Sequence, residues 1–226
     1  FFVIGAVYSG LAALAAILVV VRWGMKLQGY LRKEHFDALG KLVKEGLIGR
    51  LTITNIVSHP EAAQAAGTRS VPWTRIGPYV LEGAHSAIEL RNWAEHAAEG
   101  GRMGVYLSYL LEQQRLPQVV TLIQDSPNML HELVPLLGDL ETPMGVRIGI
   151  GAAFEDLQGS GLLGGIVDEL GALTRDSEPQ VRADACHYLG MTDSSAALPY
   201  IQPLLDDPDE EVREIAAETL PLLPTA

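Results

Sequence analysis

A Val-Arg pair occurs three times in the C-terminal half of the chain, at positions 146–147, 181–182 and 212–213. The spacings are 35 and 31 residues, within the range of repeats that are each built from two helices. Small residues and leucines follow each pair, in the segments VRIGIGAAFEDL, VRADACHYLG and VREIAAETLPLL. A single helix pair cannot bury its apolar face alone, so such repeats stack on their neighbours. We therefore predict that residues 103–226 form an α-solenoid.

The segment DDPDEEVREIAAETL shows how one repeat helix is encoded. Asp207 can cap the helix, and Pro208 suits a first turn because proline has no backbone N–H to leave unsatisfied. Val212, Ala216 and Leu220 follow at helical spacing and form the predicted buried stripe.

The three arginines of the Val-Arg pairs recur in the same register. Arg147, Arg182 and Arg213 are therefore predicted to form a ladder with acidic residues of neighbouring repeats, such as Asp176 and Asp207. The role expected for this ladder is structural.

The sequence pattern of these segments resembles HEAT-like repeats of the kind also found in phycobilisome lyases. In this pattern Asp and Pro come first, followed by Val-Arg, small residues and Leu-Gly. The resemblance implies an extended face of stacked helices that binds other proteins. It also leaves open a second role, that of a HEAT-type lyase or cofactor-attachment factor.

Cys186 is the single cysteine of the 226 residues, so an internal disulfide and a multi-cysteine metal site are excluded. Alignment of the repeats places it level with Gly151 and Ala217, at a position where two helices approach closely. The thiol is therefore predicted to pack in the core.

Residues 1–21 contain no charged side chain, and at 1.5 Å per residue a helix of this length crosses a bilayer core of about 30 Å. The prediction is a transmembrane helix over 1–23 and a juxtamembrane linker over 24–33. Two alternatives are a buried helix and a buried β-branched strand within 17–23. Positive charge after the run, from Arg22 to Lys33, predicts a single-pass inner-membrane protein with its soluble part in the cytoplasm.

Residues 34–102 alternate between helical and strand patterns. The order is helix (34–46), strand (50–57), helix (59–67), two strands (70–77 and 79–83) and a final helix (87–96). Ser86 and Glu89 have the spacing of a capping box at the start of the final helix.

The segment GTRSVPWTRIGPYVLEG, residues 67–83, resembles the second half of the thioredoxin and glutaredoxin fold. The resemblance implies an α/β domain, incomplete because its first strand is missing, with Pro72 as the cis proline beside the family's cysteines. The matching position for Cys-x-x-Cys reads KLQGYLRKEHF, residues 26–36, without a cysteine. Pro72, Trp73 and Arg75 then become candidate partner-binding residues on a redox-inactive domain, and the alternative for Pro72 and Trp73 is a place in the core. The chain as a whole is similar to bacterial proteins in which a thioredoxin-like domain is fused to HEAT-like repeats.

The two halves of the chain differ in charge. Residues 1–102 carry 11 Lys and Arg against 8 Asp and Glu, whereas residues 103–226 carry 5 against 20. Phosphate binding needs a basic surface, so we expect no nucleic-acid partner.

The predicted fold class is α-rich α+β: a transmembrane helix, an incomplete thioredoxin-like domain and a HEAT-like solenoid. No catalytic, cofactor-binding or metal-binding constellation is visible in the sequence, so we expect no enzyme and no cofactor. The predicted function is a membrane-anchored, redox-inactive scaffold. Its partners would be subunits of a larger membrane complex, and residues 1–23 would contact lipid. The alternative is a thiol-disulfide oxidoreductase or chaperone whose cysteines lie outside these 226 residues.

Overall fold

A computed structural model describes residues 15–20, 40–54, 59–66 and 72–224 of the chain. The chain divides into two compact units, residues 1–102 and residues 103–226. Each unit is described by itself below.

A four-stranded mixed sheet forms the centre of the first unit. Its strands are β1 (Ala15–Val20), β2 (Ile48–Thr54), β3 (Trp73–Ile76) and β4 (Tyr79–Glu82), in the spatial order β2-β1-β3-β4. β1 pairs in parallel with β2, while β3 runs antiparallel to both β1 and β4. Gly77, whose φ is 57°, allows the tight turn between β3 and β4.

The predicted transmembrane helix over residues 1–23 is wrong. Residues 15–20 form an interior strand that pairs with a neighbour on each side, and a backbone that pairs in this way cannot also form helical i→i−4 hydrogen bonds. Every helix in the described part of the chain is too short or too polar to cross a bilayer. The prediction of a single-pass inner-membrane location is therefore wrong as well.

The predicted fold class is wrong for the same reason, because residues 15–20 are a strand of the sheet in the first unit and not part of a transmembrane helix. An apolar, β-branched run suits the middle of a sheet as well as a bilayer, and the alternative of a buried strand within 17–23 overlaps β1. The predicted linker, residues 24–33, lies outside the described residues.

Among the described residues of this unit, three helices accompany the sheet: α1, described over 40–44, α2 (Pro60–Ala65) and α3 (Ala87–Ala98). At the start of α3 the Ser86 side chain accepts a hydrogen bond from the Glu89 N–H (3.2 Å), and the Glu89 carboxylate accepts one from the Ser86 N–H (2.7 Å). Trp93 of α3 is buried and lies 4.8 Å from the Tyr79 ring, centroid to centroid. Aromatic packing between α3 and β4 thus fills the core of this unit.

The second unit is helical throughout its described residues. Its α-helices are α4 (Met103–Glu112), α5 (Leu116–Asp125), α6 (Val134–Gly138), α7 (Met144–Leu157), α8 (Val167–Leu173), α9 (Pro179–Gly190), α10 (Leu198–Ile201) and α11 (Glu210–Thr219). Short 3₁₀ segments lie at Pro127–Glu132, Leu162–Ile166, Ser195–Ala197, Gln202–Asp206 and Leu220–Leu222. The three Val-Arg pairs lie on α7, α9 and α11.

Successive Val-Arg helices pack on each other by two different means. Between α9 and α11 the approach is close: a Cβ added at Gly190 would lie 2.5 Å from the Thr219 Cγ2. Between α7 and α9 the contact is aromatic, with the Phe154 and Tyr188 rings edge to face at 5.2 Å. α9 and α11 therefore pack directly on each other, and α7 contacts α9 through long side chains.

Candidate interaction surface of the helical repeats

A buried ion pair joins the second and third Val-Arg repeats. The Arg182 guanidinium donates from Nε to Asp207 Oδ2 (2.8 Å) and from Nη2 to Asp207 Oδ1 (2.7 Å). Both residues are only 8% exposed. Because the contact is bidentate and shielded from water, it fixes the distance and the angle between the two repeats.

Hydrogen bonding and charge keep Asp207 ionised. The hydrogen bonds from Arg182 are the main reason that the pKa of Asp207 lies below its ordinary value, and the Asp209 N–H adds a further bond of 2.9 Å. The same contact raises the pKa of Arg182. The carboxylate thus caps the turn before α11 and pairs with α9 at the same time.

Arg147 makes the corresponding contact between the first and second repeats with a different partner. Its Nη2 donates to Asp184 Oδ2 (2.7 Å), and its Nη1 donates to the carbonyls of Leu137 (3.0 Å) and Asp139 (3.2 Å). Asp184 lies on α9 itself. The interval from Asp139 to Arg147 is two residues longer than that from Asp176 to Arg182, so the loop before α7 is built differently.

Asp176 serves its own repeat. Its carbonyl accepts from Arg182 Nη1 (2.9 Å), and its carboxylate accepts from the Glu178 N–H (2.9 Å). It holds the turn that leads into α9.

Arg213 ends the series. Its Nη1 donates to the carbonyls of Asp207 (2.7 Å) and Pro208 (3.1 Å), in the same way that Arg182 contacts the turn before its own helix. Among the described residues no carboxylate lies within ion-pair distance of Arg213. The arginines of this series therefore act on turns and neighbouring helices, as structural groups.

In the first unit, Pro72, Trp73 and Arg75 differ in exposure. Pro72 is buried and its carbonyl accepts from the Gly83 N–H (2.8 Å), while Trp73 is 2% exposed. Arg75 is exposed and its guanidinium carbon lies 5.4 Å from the centroid of the Trp73 ring. Of the three, Arg75 is the residue that a partner can reach.

The thiol of Cys186 is buried, with 0% exposure. Desolvation raises its pKa to about 11, against the smaller opposing effect of a hydrogen bond with Thr219. A thiol in this state is a packing group and a poor nucleophile. Within the described residues, no group of three or more His, Cys, Asp or Glu side chains is arranged to hold a metal ion.

Sequence reasoning missed the exposed side chains of α7. Met144 and Ile148 are 64% and 65% exposed, although both are large and apolar. The signal was present, because these residues are four positions apart and Ile148 directly follows the Val-Arg pair. The sequence alone does not show which side of α7 faces solvent, and the structure places Met144 and Ile148 on that side.

Stacked helix pairs joined through their arginines define an α-solenoid. Residues 165–223 match the family model of HEAT repeats, which confirms the HEAT-like part of the predicted resemblance. The match includes the repeats of Arg182 and Arg213, and it does not extend to residues 1–164, which contain the first unit and the helices α4–α7. Comparisons with curated proteins and with solved structures give no match. HEAT repeats generally mediate protein–protein interactions, which indicates a binding or scaffold role here.

Proposed function

We propose that this chain is a scaffold that binds protein partners through the exposed helix faces of its second unit. The observation that carries the proposal is the HEAT-repeat array, since stacked helix pairs present a continuous binding surface. The buried side chains of Arg147 and Arg182 form hydrogen bonds with other residues of the repeats and so stabilise the fold of this unit. Partners can therefore contact only its exposed side chains.

The charge of the second unit favours a basic partner. Residues 103–226 contain 20 acidic residues, five arginines and no lysine. Since Arg147 and Arg182 are buried, the exposed surface is still more negative than these numbers indicate. Such a surface attracts a cationic protein and repels phosphate, which argues against nucleic acid.

For the first unit we propose a thioredoxin-like domain without thiol chemistry. The strand order β2-β1-β3-β4, with one parallel pair followed by an antiparallel hairpin and α3, supports this assignment. The single cysteine of the chain lies in the second unit and is buried, which weighs against the oxidoreductase alternative. Arg75 is the proposed partner contact of this domain because it is exposed.

The proposal does not include a membrane-complex partner or a lyase role. The membrane-complex partner depended on an anchor over residues 1–23, and the strand β1 removes that basis. The lyase role depended on repeat resemblance alone, and no contact in the described residues adds support to it.

Carbodiimide cross-linking tests the proposal. This reagent joins carboxylates to amines, and residues 103–226 offer many carboxylates and no lysine, so each cross-link from this unit to a lysine side chain outside it is informative. The full chain is copurified with its partners from the source cells, cross-linked and analysed by mass spectrometry. We expect the intermolecular cross-links to fall mainly on acidic residues of 103–226. Cross-links restricted to the eight acidic residues of 1–102 would contradict the proposal.

A further inference from the structure

The Val-Arg pairs place the three helices α7, α9 and α11 in a common register. Met144, Pro179 and Glu210 are the first residues of the three helices, each two positions before the valine of its pair. Phe154 of α7 contacts Tyr188 of α9, and Gly190 of α9 approaches Thr219 of α11, so equivalent positions of successive helices follow one another across the array with an offset of one or two residues. Residues at the first, second, fifth and ninth helical positions can therefore be compared from one layer to the next.

These positions are apolar on α7. They hold Met144, Gly145, Ile148 and Ala152. Met144 and Ile148 are about two-thirds exposed, while Val146 and Ile150 on the opposite side of the helix are fully buried. The helix thus turns a second apolar face toward solvent, in addition to the face that it uses for the core.

The same positions are acidic on α11. They hold Glu210, Glu211, Glu214 and Glu218, all of them exposed. None of the four forms an ion pair with a described residue. On α9, between the two, the positions hold no carboxylate: they are Pro179, Gln180, Ala183 and His187, of which Ala183 is buried.

We propose that the apolar face of α7 docks a peptide segment of a protein partner that has apolar side chains at one end and lysine or arginine at the other. The inference rests on the proposed scaffold function and specifies its partner. The apolar end of the segment covers Met144 and Ile148, and the basic end lies against the glutamates of α11. Charge complementarity selects this occupant, because the four glutamates of α11 form no ion pair with a described residue and residues 103–226 contain no lysine. The guanidinium of Arg213, also on α11, is held by backbone carbonyls.

Helix spacing sets the length of the segment. Packed helices lie about 8–10 Å apart, and α7 reaches α9 through long side chains such as Phe154 and Tyr188, so α7 and α11 are separated by at least about 20 Å. An extended chain covers this distance with about six residues or more, at about 3.3 Å each. The change from apolar side chains on α7 to acidic side chains on α11 is limited to the first nine residues of each helix, because the last turn of α7 carries Glu155 and Asp156. We therefore expect a segment of about 10 to 12 residues with its two clusters at opposite ends.

Peptide display against the full chain tests the inference. A library of random 12-residue peptides is selected for binding, and the affinities of enriched peptides are measured by fluorescence anisotropy. We expect enriched sequences to carry an apolar cluster at one end and a basic cluster at the other. Ile148→Glu and Glu214→Lys should each weaken binding by about tenfold or more. Added salt should weaken binding to the wild type more than binding to Glu214→Lys.

Matched controls are present in the same chain. Ile88 on α3 is 72% exposed, so Ile88→Glu makes the same chemical change away from the proposed site. Glu112 on α4 is exposed, so Glu112→Lys controls for the change in net charge. Both controls should bind the selected peptides as the wild type does, and circular dichroism should show that all four variants are folded.

Three results would overturn the inference. Enriched peptides whose affinity ignores Ile148→Glu and Glu214→Lys would show that the array binds peptides at another surface, which leaves the scaffold function standing. A dimer in sedimentation that Ile148→Glu converts to a monomer would show that a second copy covers α7. If no peptide is enriched, this inference fails, and carbodiimide cross-links from residues 103–226 still decide the scaffold function separately.

Discussion

Replacing Asp207 by asparagine tests whether the buried ion pair holds the repeats together. Asparagine keeps the size of the side chain and an oxygen that can accept from the Asp209 N–H, so the main loss is the charge opposite Arg182. Removing one partner of a buried ion pair costs about 3–5 kcal/mol. Arg182 keeps its hydrogen bonds to the carbonyls of Asp176 and Ser177, so we expect Asp207→Asn to lower the free energy of unfolding by an amount at the low end of this range, about 3 kcal/mol.

Asp184→Asn is the matched control for this substitution. It removes the carboxylate that pairs with Arg147, but the Asp184 side chain is 34% exposed against 6% for Asp207. Solvent can compensate for the lost contact, and Arg147 keeps two carbonyl partners. The expected cost is about 1 kcal/mol or less.

Urea unfolding followed by circular dichroism at 222 nm measures both effects, since most helical residues lie in the second unit. With a slope of about 1–3 kcal/mol per molar urea, a loss of 3 kcal/mol lowers the midpoint by about 1–3 M. Tryptophan fluorescence provides an internal reference, because Trp23, Trp73 and Trp93 all lie in residues 1–102. Equal midpoint shifts for Asp207→Asn and Asp184→Asn would refute the reasoning.

The pH dependence gives a second test of the same pair. The pKa of Asp207 is lower in the folded chain than the value of about 3.9 for an unfolded aspartate. Its contribution to stability is therefore complete above about pH 4 and is lost as the pH falls through the lower, folded pKa. The difference in unfolding free energy between wild type and Asp207→Asn should be constant above pH 5 and shrink below pH 4. A difference that stays constant down to pH 2 would show that the charge of Asp207 is not the cause.

Three further predictions concern packing and capping. Gly190→Ala should destabilise the chain by about 1–3 kcal/mol in urea unfolding, because the new methyl group would collide with Thr219, and Thr219→Ser should relieve part of the loss. Cys186, with a pKa of about 11, should react with iodoacetamide at pH 8 at least about a hundredfold more slowly than in urea-unfolded chain, and equal rates would contradict its burial. Ser86→Ala removes the hydrogen bond to the Glu89 N–H and should cost about 1 kcal/mol, measured by the fluorescence transition.

The N-terminal run shows what hydrophobicity alone leaves undecided. An uncharged stretch predicts that residues are removed from water, and both a bilayer and the middle of a sheet satisfy this requirement. β1 has a paired strand on each side, and both of those strands come later in the sequence. Because the pairing depends on these distant residues, the local pattern could not distinguish strand from transmembrane helix.

The repeats were predictable where their signal is periodic. The Val-Arg pairs lie on three stacked helices, and Arg182 contacts Asp207 as the register suggests. The partner of Arg147 was not predictable from the repeat register, which suggests an acid before the next repeat helix, such as Asp176. The Asp176 carboxylate accepts from the Glu178 N–H, and Arg147 pairs with Asp184 on α9.

The exposure of individual site residues also could not be predicted from the sequence. Trp73 and Arg75 stand two positions apart on β3, yet the first is buried and the second is exposed. Alternation along a strand places both on the same face, so their different burial depends on what covers each end of the strand. Met144 and Ile148 present the opposite case, since apolar residues in a repeat helix are expected to be buried and these two are not.

Hydrogen–deuterium exchange of the full chain, alone and with a copurified partner, measures most directly whether the repeats are the binding surface. We expect the partner to slow exchange in residues 103–226, most strongly in α7 and α11. Residues 73–98 of the first unit should change less. Protection confined to the first unit, with α7 and α11 exchanging at the same rate in both samples, would show that the repeats are not the binding surface.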